Sequence, residues 1–156
     1  MGNGGGKLGK SAYFCSWNPC AFGGGMAKLT TMMNIEQVRE YALKLCGVTE
    51  DQPFGDDIVT FRVEGKIFLC LWLGGGKYDK WDGTTRFACK LAPERNDELR
   101  EHYGAITPAF HWNKKHWSDV YYTLLSTELV EAIIRESHQL IISTLPKAVR
   151  AKYQNA

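Results

Sequence analysis

The run Pro108-Ala109-Phe110-His111-Trp112-Asn113-Lys114-Lys115-His116-Trp117-Ser118-Asp119 gathers two imidazoles, two ammonium groups, an amide and two indoles. Four kinds of chemistry could use such a set. Metal binding could draw on His111 and His116, but zinc takes at least three protein ligands, and Asp119 is the nearest third candidate. Hydrolysis could use a histidine as base, but it needs a nucleophile within reach, and Ser118 is weakly placed for that. Nucleic-acid contact could use Trp112 and Trp117 as stacking plates beside Lys114 and Lys115, where stacking contributes about 1–3 kcal/mol per base. The fourth use is structural: His111, Asn113 and His116 can hydrogen-bond backbone groups and hold an irregular loop against a sheet. The structural use ranks first, contact with a ligand or nucleic acid second, and catalysis last. No catalytic residue, metal or cofactor is expected.

Two further basic groups could join this loop. Lys77, Lys80, Trp81 and Arg86 form one, and Lys147, Arg150 and Lys152 the other. On one face with Lys114 and Lys115 they would make a patch. Scattered, they are ordinary solvated charges.

Charge limits what such a patch can do. The chain has 156 residues and a formal net charge of +2. Residues 1–32 carry Lys7, Lys10 and Lys28 and no acid. The remainder holds 16 basic against 17 acidic residues, a net charge of −1. A dedicated DNA binder usually has a strong basic excess, so strong non-specific nucleic-acid binding is not expected. Apolar residues make up 44% of the chain, enough for a normal core. No apolar run approaches the roughly 20 residues of a membrane-spanning helix, and no secretion signal is seen. The five cysteines are an odd number. They read as small buried hydrophobes in a reducing cytoplasm rather than as a disulfide framework.

Residues 1–32 read as a flexible glycine-rich extension, and 33–156 as the folded domain, expected to be monomeric. Gly4-Gly5-Gly6-Lys7-Leu8-Gly9-Lys10-Ser11 satisfies the phosphate-loop pattern letter for letter. Such a loop works only between a buried strand and a helix N-terminus. Three residues precede Gly4, so no strand is expected to deliver it. Cys15 and Cys20 have no partner pair at metal spacing.

The elements that must position the loop follow from periodicity. Asn34 and Gln37 make a capping box for a helix over Ile35–Cys46, with Gly47 as its stop. Thr49–Asp57 looks like a loop. Ile58–Leu73 reads as a hairpin turning at Glu64-Gly65. Gly74–Gly83 is a turn-rich loop, and Thr84–Leu91 a strand with Arg86, Ala88 and Lys90 on one face. Ala92-Pro93-Glu94 opens a second helix that ends at Gly104. Ala105–Thr107 is a short strand and Val120–Leu124 the last one. Ser126 or Thr127 caps a third helix with an apolar stripe from Leu129 to Ile141. Pro146 breaks it before a basic terminal turn. Antiparallel strands with helices packed on them give a two-layer α+β domain.

This order of elements, with the loop, resembles the MmcQ/YjbR family of small bacterial proteins over about residues 33–153. The most specific part is Pro108–Tyr121, with its histidine, Asn113-Lys114 and His116-Trp117. Supporting pieces are Pro53-Phe54-Gly55-Asp56-Asp57, Gly65-Lys66 and Lys90-Leu91-Ala92-Pro93-Glu94. The resemblance implies a CyaY-like fold, an antiparallel sheet with helices on one side. It also implies a DNA-binding label that rests largely on fold analogy, a weak warrant for function, and no defining enzymatic activity. The expected function is therefore a non-enzymatic cytoplasmic module that binds DNA weakly through His111–Trp117, Lys77, Lys80 and Arg86. The alternative is a protein-interaction or small-ligand module that uses the aromatic loop 108–117.

Overall fold

The computed structural model describes residues 32–74 and 85–154. The first helix, α1, spans Ile35–Lys44, and its capping box is formed as expected. Asn34 Oδ1 accepts from the Gln37 N–H, and Gln37 Oε1 accepts from the Asn34 N–H, both at 2.9 Å. These two bonds satisfy donors that the first turn leaves open. The helix ends two residues before the expected Cys46, because Leu45 is already extended. Gly47 at φ +72° then turns the chain. Cys46 is consequently exposed, while Cys70 and Cys89 are buried as expected.

The segment read as a loop contains a strand, β1, at Val48–Asp51. It pairs antiparallel with β2, Ile58–Val63, with Val48 opposite Val63 and Asp51 opposite Thr60. β1 lies at the edge of the sheet, so its backbone hydrogen bonds form it without an alternating apolar pattern. A bond from Arg39 to Glu50 at 2.8 Å ties it to α1.

The hairpin continues into β3, Lys66–Trp72. Its turn residues Glu64 and Gly65 both have positive φ, 50° and 77°, the twist-matching arrangement for a two-residue turn. The register shifts after Phe61, which pairs with Leu69 while Arg62 pairs with Ile67. Phe68 is the extra residue of this bulge, and Phe68 and Leu69 are both fully buried. The bulge explains why β3 is nearly all apolar without strict alternation.

The remaining strands are β4, Phe87–Lys90, β5, Ile106–Pro108, and β6, Trp117–Val120. Between β4 and β5 lies α2, Pro93–His102, with proline in its first turn. β6 starts three residues before the expected strand, and Tyr122–Leu124 is a 3-10 turn. The pattern misled because Ser118 and Asp119 look exposed yet are buried. Next come α3, Thr127–Ser143, capped by Ser126, and α4, Lys147–Gln154.

All six strands form one antiparallel sheet in the order β1-β2-β3-β4-β6-β5. One face packs on the helices through Phe61, Leu71, Phe87 and Val120 of the sheet and Val130, Ile133 and Ile134 of α3. The opposite face has its own small cluster, with Cys70, Trp72, Ala88, Ala109 and Trp117 at its centre. This is the expected two-layer α+β architecture. The loop between β5 and β6 lies over the face without helices.

Candidate functional site

The loop over residues 109–116 is held by its backbone. The Ala109 N–H donates to the Trp117 carbonyl at 3.0 Å, closing its base. The Asn113 side chain accepts from the Lys115 N–H at 2.9 Å, and its carbonyl accepts from the N–H groups of His116 and Trp117. Asn113 thus has the structural use expected of it.

The other anchors come from α2 and were missed in the sequence. Asn96, fully buried, donates to the carbonyls of Leu91 and Lys115. It accepts from Ser118 Oγ at 2.7 Å. Arg100 donates to Ser118 Oγ and to the carbonyls of Lys114 and Trp117. The Leu91 N–H takes the His116 carbonyl. Four successive carbonyls of the loop, from residue 114 to residue 117, are therefore engaged. No sequence signal singles out Asn96 or Arg100, since α2 is polar along most of its length.

The aromatic residues do not all face outward. Trp117 is only 7% exposed. Trp112 is half-buried and stacks on Trp117 with ring centroids 4.5 Å apart. Phe54, from the loop before β2, meets Trp112 edge-on at 6.1 Å. His111 is exposed and lies nearly parallel to Trp72, with centroids 6.3 Å apart. Phe110 is 64% exposed.

The cations separate likewise. Lys115 is exposed. Lys114 donates to the Ala109 carbonyl at 3.3 Å and lies over the Phe110 ring. Arg86, expected among the outward cations, is only 3% exposed. Its guanidinium sits 4.5 Å over the Trp72 ring and 3.4 Å from Asp119. It lies just ahead of β4 on the face the alternation predicts, and the Trp72 ring packs against it there. Lys77, Lys80 and Trp81 lie outside the described residues.

These groups enclose a cleft of about 400 Å³ lined by Phe54, Ile58, Cys70, Trp72, His111 and Trp112. That volume falls in the range of small-molecule sites. Burial pushes the Cys70 thiol up to about 12, so at neutral pH it is a neutral wall group and not a thiolate nucleophile. Behind this cleft wall, where Arg86 packs on Trp72, the Asp119 carboxyl near Arg86 accepts from the Phe110 N–H at 3.2 Å. Burial raises its pKa, and Arg86 and the Phe110 N–H partly offset that rise. Four buried polar atoms here have no hydrogen-bond partner: Trp72 Nε1, Arg86 Nε and Nη1, and Asp119 Oδ1. The Arg86–Asp119 contact is close but not aligned as a hydrogen bond.

A larger groove of about 720 Å³ runs between the start of α2 and α3, past Leu91, Arg95, Leu129 and Glu136. None of the unpartnered buried atoms lines it. Among the described residues no group of three or more histidine, cysteine or acidic side chains could hold a metal ion. No described helix is long and apolar enough to cross a membrane.

Fold and site together define a small sheet-and-helix domain with an aromatic cleft on its helix-free face. The YjbR family model matches residues 43–140, and the chain belongs to that family. It is 30% identical over 113 residues to the uncharacterised protein YbdF of Escherichia coli O157:H7, covering 72% of this chain and 87% of that one. Two crystal structures share the fold. Protein DR2400 of Deinococcus radiodurans superposes with a TM-score of 0.67 at 28% identity, over 81% of this chain and 92% of its own. A Pseudomonas syringae protein gives a TM-score of 0.57 at 30% identity, over 69% and 98%.

Proposed function

We propose that this protein is a non-enzymatic binding module that holds a small, flat, largely apolar ligand in the cleft between Trp72, His111 and Trp112. The observation that carries this is a 400 Å³ aromatic cleft whose loop is fixed in advance by Asn96, Arg100 and Asn113. A site organised before binding loses less ordering entropy when the ligand arrives. The absence of a catalytic role is supported by the neutral Cys70 thiol and by Ser118, whose hydroxyl proton is committed to Asn96.

Weak DNA binding is the second reading, and the exposed Lys115 on the loop favours it. It ranks lower because Arg86 and Trp117 are turned inward. A thermal-shift screen of aromatic small molecules separates the two. A ligand at 100 times its Kd adds about 2.7 kcal/mol, roughly 10 °C at about 4 °C per kcal/mol. The expected shift disappears in Trp112→Ala and Phe54→Ala. Shifts that persist in both variants rule the cleft out. Retention of labelled duplex or single-stranded DNA, weakened by salt and lost in a Lys114→Ala/Lys115→Ala double variant, would favour the DNA reading instead.

A further inference from the structure

We infer that the groove between the start of α2 and α3 is the seat of the chain's own residues 12–22. This is independent of the aromatic cleft, which lies on the helix-free face of the sheet. Leu91, Ala92, Leu129, Ala132 and Leu140 give the groove an apolar floor, and all but the buried Leu91 are partly exposed. Apolar surface gathered in one place and left open marks a surface for a partner. The helices beside it are acidic. α2 carries four acids and two arginines, and α3 three acids and one arginine, a net charge of −2 each. Glu128 lines the groove and is exposed. Both arginines that line it are engaged within the domain. Arg95 contacts Glu98 and Glu136 at 2.7 and 2.8 Å, and Arg135 donates to the Tyr41 hydroxyl at 2.7 Å. The matching occupant is apolar, with positive charge on its flanks.

Residues 1–31, outside the described residues, have that composition. Tyr13, Phe14, Trp17 and Phe22 all fall within residues 12–22. Lys7 and Lys10 precede them, Lys28 follows, and the segment has no acid. The tether is long enough. The chain enters the described domain at Met32, which is 60% exposed, one residue before the buried Met33. From Asn34 to Tyr41 is about 10 Å along α1, and Tyr41 is bonded to Arg135 of the groove. The residues between Phe22 and Met32 can span about 30 Å. A tethered segment needs little intrinsic affinity, because its effective concentration is about millimolar. The glycines at 4–6 and 23–25 make ordering costly. Docking is therefore favoured only modestly and adds little to the stability of the domain, so it is best read from the segment itself.

The test uses the full chain and two reagents. Chymotrypsin cuts after Tyr13, Phe14, Trp17 and Phe22, and a carbodiimide joins lysines to nearby carboxylates. Ala132→Arg fills the groove floor and adds a positive charge. Cutting follows the undocked population, so this variant should speed cleavage at the four sites about two- to threefold. Cross-links from Lys10 or Lys28 to Glu128 or Glu136 should form within one molecule and be lost in the same variant, with circular dichroism confirming the fold. Should Ala132→Arg fail to fold, Phe14→Ser combined with Trp17→Ser decides, since it leaves every described residue unchanged and should abolish the same cross-links. Cleavage unaffected by Ala132→Arg, or an absence of cross-links to α2 and α3, overturns the inference. Cleavage that speeds only in Trp112→Ala places the segment in the aromatic cleft and overturns it equally. Cross-links found only between molecules assign the groove to a second copy of the chain, and the inference falls.

Discussion

Arg86 and Asp119 show how far a residue's surroundings can depart from its reputation. One reads in the sequence as a cation of a nucleic-acid-contacting patch and the other as a third candidate metal ligand, yet they face each other in the interior. Taking two charges out of water is costly, and removing one leaves the other uncompensated. Arg86→Met should therefore cost about 3–5 kcal/mol, whereas Arg86→Met combined with Asp119→Leu should recover most of it. Urea unfolding of the two variants checks this. The pH dependence has a definite sign. Burial raises the Asp119 pKa in the folded state, so folding takes up a proton there, and that contribution is greatest in acid and lost as pH rises. Without Arg86 the rise grows. The stability gap between Arg86→Met and the parent should accordingly narrow as pH falls from 8 to about 5. A gap constant across that range would show that the carboxyl is not carrying the loss.

At the scale of elements, α2 governs the loop more than the loop governs itself. The loop's imidazoles drew the eye in the sequence, but Asn96 and Arg100 hold its carbonyls. Asn96→Ala removes three hydrogen bonds from a fully buried position. It should cost about 2–3 kcal/mol. Amide exchange at Lys114–Trp117 should then accelerate more than exchange in β3 does, because the loop opens as a local unit. Equal acceleration in both would mean that Asn96 supports the whole fold and not the loop. What could be read from the sequence followed the same division. The capping box at Asn34, the Glu64-Gly65 turn and the α3 stripe are local patterns with a fixed period, and each was legible. β1 was not, because an edge strand of Val-Thr-Glu-Asp is formed by its neighbour's hydrogen bonds. β6 was displaced because its polar residues are buried by partners far along the chain. The clamp was invisible because Asn96 lies 22 residues from Ser118. No spacing rule connects them.

For the molecule as a whole, the core of the described residues runs from Met33 to Leu145. The family match over residues 43–140 lies within it. If the domain folds on its own from residue 33, a chain starting at Met32 should keep its stability to within about 0.5 kcal/mol, the usual size of a change that touches no packed feature. A clearly lower midpoint would assign residues 1–31 a share in the domain's stability. Near-neutral overall charge points the same way as the inward Arg86: long-range electrostatic attraction to a polyanion is weak.

The two margins of the sheet carry a consequence of their own. β5 is three residues long and ends in Pro108, and β1 presents Glu50 and Asp51. Proline cannot donate to an incoming strand, and acids repel one another across a new pairing. Among the described residues, both borders are blunted against growth of a second molecule's backbone. Protection against fibrous clumping along the sheet margins is thus a matter of its two least conspicuous strands.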